Sequence, residues 1–374
     1  MSLSLLVAVI VIALVFTYIN GFHDTANSIA TVVATKVLSP GQAVLLAAVT
    51  NLGGALVGSA VAVTIATGLI NAGVLQVGAE VLICALVGAI VWNLITWWLG
   101  LPSSSSHALI GGLCGAAFAA SGNDFHAIIW ATDATRWWHG GGVIPKVVVP
   151  MIASPIAGFV LGILVMGLLL ALFAWFGNRT GPLRRLGRTP FVNYFFGKAQ
   201  LLSATAMGVS HGMNDAQKTM GIIALALADA TATHNFDHLP AWLHFLRVYD
   251  TGGHFPIPVW VKVLCALVMA GGTAGGGWRI IKTLGHKMVK LHPINGFAAE
   301  TGGAAVIIAA SVFGLPVSTT HVISSSIMGV GAAKRFNAVR WTVVERMVWS
   351  WILTLPISAA MAWGLVEISQ PLWG

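Results

Sequence analysis

The chain has 374 residues, of which 57% are hydrophobic and only 8% charged, with a formal net charge of +8. A soluble domain carries about 25% charged residues, so this supply excludes an ordinary solvated surface. The basic residues stand in short clusters between apolar runs rather than in one stripe, which excludes a nucleic-acid face and points to a protein embedded in a lipid bilayer.

Runs suited to crossing a hydrocarbon core, which takes about 20 residues as a helix, stand at 3–19, 43–69, 81–99, 147–176, 258–272 with its flanks, 298–313 and 342–366. None alternates apolar and polar residues as a barrel strand does, so the predicted elements are spanning helices. The first run lacks a basic leader, which predicts a retained helix rather than a cleaved signal. Cys84, Cys114 and Cys265 lie in apolar stretches without metal-ligand spacing and read as packing residues. No cofactor and no resident metal are expected.

The first run leads into Gly21-Phe-His-Asp-Thr-Ala-Asn-Ser28, which returns without gaps as Gly212-Met-Asn-Asp-Ala-Gln-Lys-Thr219. Further along, Leu101-Pro-Ser-Ser-Ser-Ser-His107 returns as Leu315-Pro-Val-Ser-Thr-Thr-His321. A weaker likeness, at unequal spacing, links Asn51-Leu-Gly-Gly-Ala55 with Glu300-Thr-Gly-Gly-Ala304 and makes Asn51 and Glu300 secondary candidates. The duplication divides the chain into a first membrane repeat at 1–177, a basic cytoplasmic connection at 178–200, and a second repeat at 201–374. A polar insert at about 228–257 widens the second repeat.

Placing Lys36 and the basic clusters around 179–198, 279–290 and 334–346 in the cytoplasm puts both chain ends and the insert outside. The side taken by 121–146 depends on whether the segment around Pro102 crosses the membrane or turns back within it. The first motif then follows an inward-running helix and the second opens an outward-running one. The repeats are therefore expected to be inverted, the architecture of alternating-access carriers with a midplane site.

Asp24 and Asp215 lie at membrane depth, where a carboxylate costs a few kcal/mol and is functional by default. With Asn27, Asn214, Thr25 and Thr219 they offer the hard oxygen ligands of a coupling cation. Proline followed by hydroxyls suits a helix N-terminus, whose amides and dipole favour an anion. Ser104, Ser105, Ser106, Ser318, Thr319 and Thr320 are accordingly the expected oxyanion ligands, with Gln217 and Lys218 beside them. His107 and His321 can donate to the anion or carry a proton, and His23 adjoins Asp24. Lys218 matches Asn27 of the other half, so its ammonium needs Asp24, Asp215 or the substrate as counter-charge. It can also replace one of two symmetric cation sites, which favours proton over sodium coupling. His234, Asp237, His238, His244, Asp250 and His254 of the insert lack fixed ligand spacing and read as a solvated loop.

At these residues the chain resembles the inorganic phosphate transporter (PiT) family, which carries a duplicated Gly-x-Asn-Asp-x-Ala-Asn core and a Gly-Leu-Pro-x-Ser-Ser/Thr-Thr/Ser-His element. The counterparts here are Gly21–Ser28 with Gly100–His107, and Gly212–Thr219 with Gly314–His321. The resemblance spans nearly the whole embedded chain. It implies an all-α polytopic membrane protein of two inverted repeats, with paired re-entrant hairpins carrying the Ser/Thr elements. It further implies a homodimer that imports inorganic phosphate by symport, and no enzymatic activity. His23 stands where that family has Asn, and Lys218 where the second Asn is expected. Both departures look like the bacterial low-affinity permeases of the cytoplasmic (inner) membrane, which implies protons rather than sodium, with phosphate carried as a complex with a divalent metal. Sulfate permeases share the family, so sulfate is the alternative anion. A non-coupled anion channel or a non-transporting sensor is the alternative from another class, and the paired acids argue against both.

Overall fold

A computed structural model describes residues 2–373 except 134, 137, 139, 239 and 250–254. The described residues are helical in succession: α1 (Leu3–Ala34), α2 (Pro40–Ala55), α3 (Ala60–Thr67), α4 (Ala79–Leu99), α5 (Ser105–Ala120), α6 (Val149–Gly177), α7 (Thr189–Ala232), α8 (Val259–Gly275), α9 (Trp278–Lys282), α10 (Pro293–Val312), α11 (Thr319–Lys334) and α12 (Trp341–Trp373). One π turn leads into α6 at Ile144–Val148, and another extends α9 at Thr283–Lys287.

Five of these helices are long and apolar enough to span a membrane, namely α1, α4, α6 with its π turn, α10 and α12. Two bent helix pairs have the apolar length of a further span each, as a broken span or a re-entrant loop. Helices α2 and α3 meet at 67°, and α8 meets the α9 segment at 58°. The run at 43–69 is thus no single helix, as its hydropathy alone suggested. The chain turns at Gly58 (φ +78°), and at Gly276 (φ +67°) in the second pair, a backbone region open to glycine without steric cost. Helix α7 begins at Thr189, inside the stretch read as the basic connection, and its 44 residues extend for about 66 Å at 1.5 Å each.

Local sequence explains the helix starts. Ser39 and Gln42 form a capping box with Pro40 in the first turn of α2. Ser104 caps α5 by accepting from the His107 amide at 3.2 Å, and Ser318 caps α11 from the His321 amide at the same distance. Gly100 and Gly314 take φ values of 66° and 64° where the chain leaves α4 and α10.

The same packing occurs twice. Helix α1 packs against α8 as α7 does against α2, and α6 against α11 as α12 does against α5. A Cβ on Gly54 would stand 2.0 Å from the Val209 carbonyl of α7, and one on Gly272 2.2 Å from the Tyr18 carbonyl of α1. These close approaches pair Gly53-Gly54 with Gly271-Gly272. The likeness of Asn51–Ala55 to Glu300–Ala304 is therefore not the packing equivalence, because Glu300 lies on α10.

Two apolar clusters hold the core. One contains Leu6–Phe16 side chains of α1 and the Met220–Ala230 end of α7, together with α4 and α5. The other takes Ala26–Val32 of α1, Ala204 and Met207 of α7, and α10 with α11. Helices α1 and α7 therefore run antiparallel, and the hairpins α4–α5 and α10–α11 enter from opposite clusters. Between the clusters lies a belt of buried polar residues, from Asn20 to Ser28 and from Ser210 to Thr219. On the periphery, α6 exposes Ile152, Ile156, Val160, Leu164 and Leu168 at four-residue intervals, the stripe expected of a helix facing hydrocarbon.

Candidate substrate and coupling-ion site

The middle of α1, the middle of α7 and the two hairpin tips converge in this belt. Asp24, His211 and Asp215 each place a ligand atom within 4.8 Å of the others. Two carboxylates at such a separation repel by roughly 3 kcal/mol at an effective dielectric near 20, so the pair requires positive charge or strong donors.

Asp24 is met by an imidazole and by hydroxyl donors. His23 Nδ1 lies 2.8 Å from its Oδ1. Ser105 of the first hairpin donates to its Oδ2, and Thr320 of the second donates to Oδ1 at 3.3 Å. Ser105 Oγ also lies 2.6 Å from Asn20 Oδ1. Beyond His23, Nε2 reaches Thr96 Oγ1 at 3.2 Å, and Ser103 donates to the same hydroxyl at 2.7 Å.

Asp215 is held differently. The Lys218 ammonium donates to its Oδ1, Thr319 donates to Oδ2 at 2.9 Å, and His211 Nε2 lies 2.9 Å from Oδ2. Lys218 also donates to Ser106 Oγ of the first hairpin and, at 3.1 Å, to the Val317 carbonyl of the second. Its counterpart Asn27 donates to Thr319 at 3.2 Å and Thr320 at 2.9 Å. Each signature helix thus binds a hydroxyl of the opposite half through the same position: Asn27 to Thr320, Lys218 to Ser106. Hydrogen bonds to charged groups are worth about 1.5–3 kcal/mol each, enough together to hold two carboxylates in a dry interior.

The remaining candidates separate. Ser104 and Ser318 serve as helix caps, which leaves Ser105, Ser106, Thr319 and Thr320 as the hydroxyls facing the aspartates. Thr25 turns away, donating to the Gly21 and Thr273 carbonyls. Gln217 spans the α2–α3 break, accepting from the Val61 amide at 2.9 Å and donating to the Val57 carbonyl at 3.1 Å. It satisfies the backbone groups that the bend exposes, away from the aspartates. Asn214, the counterpart of His23, donates to Ser311 and to the Leu315 carbonyl. Asn51 contacts His211 Nδ1 at 3.2 Å through Oδ1 and donates to Thr273, so it orients the imidazole beside Asp215.

Glu300 forms a second buried carboxylate site. Thr31 of α1 and Ser203 of α7 donate to it, and Gln200 adds a bond at 3.2 Å. His107 and His321 meet edge to face with ring centroids 4.9 Å apart, and His321 stacks on Trp351 at 4.2 Å. Among the described residues their ring nitrogens have no hydrogen-bond partner; nor do Asn27 Oδ1, Asn214 Oδ1, Ser28 Oγ or Thr219 Oγ1.

His211 is a member of this cluster that the sequence candidates did not include. A signal was present: it stands one helical turn before Asp215 and matches Asn20 in the repeat. The Val317 carbonyl could not be foreseen, because a backbone acceptor leaves no mark in the residue type. In the insert, His234 and Asp237 pair at 2.9 Å in the open, while Asp250 and His254 lie outside the described residues.

An all-helical, multi-pass membrane protein with a buried acid pair between two sets of hydroxyl-bearing hairpin tips has the form of a solute carrier, not an enzyme. Residues 20–362 match the Phosphate transporter family, and the chain belongs to that family. It is 43% identical over 359 residues to a Bacillus subtilis (strain 168) protein named "Probable low-affinity inorganic phosphate transporter", covering 96% of this chain and 95% of that one. A protein of the same name from Rhizobium meliloti (strain 1021) is also 43% identical, over 364 residues, covering 97% and 96%. The fold is similar to a solved structure described as "The sodium-dependent phosphate transporter", with TM-score 0.75, 23% identity, and 99% and 100% of the two chains covered.

Proposed function

We propose that the chain is a secondary symporter that imports inorganic phosphate together with a cation, by alternating access of two inverted repeats. The observation that carries this reading is the junction itself: Asp24 takes hydroxyls from both hairpin tips, Ser105 and Thr320, while Asp215 on the antiparallel helix takes Thr319 and reaches Ser106 of the other tip through Lys218. Hydroxyls and helix N-termini provide the donors of an oxyanion site. With both carboxylates ionised and Lys218 charged, the cluster is net negative, so an anion enters it only with a cation. That coupling lowers the cost of moving charge past an apolar barrier.

The proton is favoured over sodium, since an imidazole lies against the Asp24 carboxylate while the ammonium of Lys218 already occupies the second half. The paired hairpins act as re-entrant elements, their tips buried between the two apolar clusters. The repeats at 1–177 and 201–374 interlock rather than stand as separate bodies, since α1 packs on α8, α2 on α7, α5 on α12 and α6 on α11. The relatives named as phosphate transporters support phosphate as cargo, and their bacterial sources support the cytoplasmic membrane. Carriage of phosphate as a complex with a divalent metal, and both chain ends outside as the basic clusters suggest, belong to the same reading. The homodimer implied by the family resemblance belongs to this reading, and cross-linking in native membranes tests it.

Reconstituted proteoliposomes test the whole. Labelled phosphate should accumulate under an inward proton gradient, and excess sulfate should not compete. Sodium-driven uptake that ignores pH would reverse the coupling ion. Equal competition by sulfate would make the chain a sulfate permease, and conductance without accumulation would make it a channel.

A further inference from the structure

Lys218 and Asn27 occupy matching positions four residues apart in register from His23/Asn214 on their own helices, and both are buried to about 1% exposure. Their surroundings match at one contact: Asn27 reaches Thr320 and Lys218 reaches Ser106, which occupy the same position in the two hairpins. Asn27 presents a neutral amide to Thr319 and Thr320. Lys218 places an ammonium against a carboxylate oxygen of Asp215, the hydroxyl of Ser106 and the carbonyl of Val317. One carboxylate, one hydroxyl and one carbonyl are the hard oxygen ligands that a small cation takes in a protein interior. The carbonyl comes from the residue that matches Ser103, so even the backbone ligand belongs to a hairpin tip.

We propose that Lys218 is a tethered coupling cation. Its ammonium holds, beside Asp215, the place that an exchangeable cation holds beside Asp24, so the chain couples its solute to one exchangeable cation fewer than a twofold design provides. The inference rests on the symport reading and specifies its stoichiometry. A permanent charge at this point has two consequences. The Asp215 carboxylate is compensated throughout the cycle, in the loaded and the empty carrier alike, and the return of the empty carrier carries one negative charge less across the barrier. The ammonium also ties α7 to the first hairpin through Ser106, so the tether forms part of the contact between halves.

Lys218→Asn restores the residue found in the first half and should open an exchangeable cation site at Asp215. Purified in detergent, this variant should show a saturable rise in melting temperature with sodium, measured against choline at constant ionic strength, that wild type lacks. Adding Asp215→Asn should remove the rise. In proteoliposomes, reversal potentials should give one more cation per phosphate for Lys218→Asn than for wild type. A variant with no sodium-dependent rise, or with the same cation count as wild type, overturns the proposal. If Lys218→Asn does not fold, wild type decides: a saturable sodium stabilisation that Asp215→Asn abolishes overturns the tether, and its absence supports it. The melting assay needs no phosphate flux. A failure of phosphate transport would therefore defeat the symport reading while leaving the cation test readable.

Discussion

The two signature helices share a scaffold and differ in chemistry. Around Asp24, every contact comes from a neutral or titratable group: His23, Ser105 and Thr320. Around Asp215, a fixed ammonium is installed three residues along the same helix, with His211 and Thr319 completing the set. The glycine contacts that bring α1 to α8 and α7 to α2 are nearly superposable, so packing does not impose this difference. The comparison teaches that duplication fixed where the ligands stand, and that single substitutions then gave each half its own charge.

The largest test of the comparison removes each acid. Asp24→Asn and Asp215→Asn should both reduce phosphate uptake by more than about 100-fold, since each removes a buried negative charge worth about 3 kcal/mol to the cation it faces, with protein still present in the membrane. Uptake assays normalised to membrane protein read this, and normal accumulation by either variant would strip that acid of its role. Next in size is the stability contrast between Lys218→Met and Asn27→Leu. The first takes from Asp215 its fixed positive partner and leaves only His211 and Thr319, which should cost about 3–5 kcal/mol. The second removes neutral hydrogen bonds and should cost about 1–3 kcal/mol. Thermal unfolding in detergent distinguishes them, and equal costs would mean that Asp215 does not depend on the ammonium.

Smaller effects examine the shared scaffold. Gly54→Ala and Gly272→Ala should each destabilise by about 1–3 kcal/mol, because a Cβ at either position meets a backbone carbonyl that cannot withdraw. Similar melting shifts would support a common packing, whereas a large shift in one alone would break the equivalence. Smallest, Ser104→Ala and Ser318→Ala should each cost about 1 kcal/mol through loss of a helix cap. A tenfold loss of phosphate affinity in either variant, at unchanged stability, would return that serine to the substrate site.

Much of the molecule was legible in the chain. Hydropathy marks the spans, since lipid leaves a polar backbone no partner except within a helix. The gap-free return of Gly21–Ser28 as Gly212–Thr219 marks Asp24, Asp215 and the odd Lys218 without any coordinates. The Pro-Ser segments announce the hairpin tips through residues that cap helices. Hydropathy nevertheless merged α2 and α3 into one run, because the bend at Gly58 is stabilised from outside by the Gln217 side chain, far away in sequence.

By itself, then, the sequence determined that this chain lives in a bilayer, that it is built from a duplicated unit, and which acids and hydroxyls are too costly to bury without purpose. Those are properties of composition and local order. Only the tertiary structure decided which donor meets which acceptor: that Ser106 answers Lys218, that Thr320 answers both Asp24 and Asn27, that His211 belongs with Asp215, and that Thr25 and Gln217 serve the scaffold. The physical reason is range. Burial cost is carried by each residue alone, whereas a hydrogen bond is settled within about 3 Å by helices that approach from opposite ends of the chain.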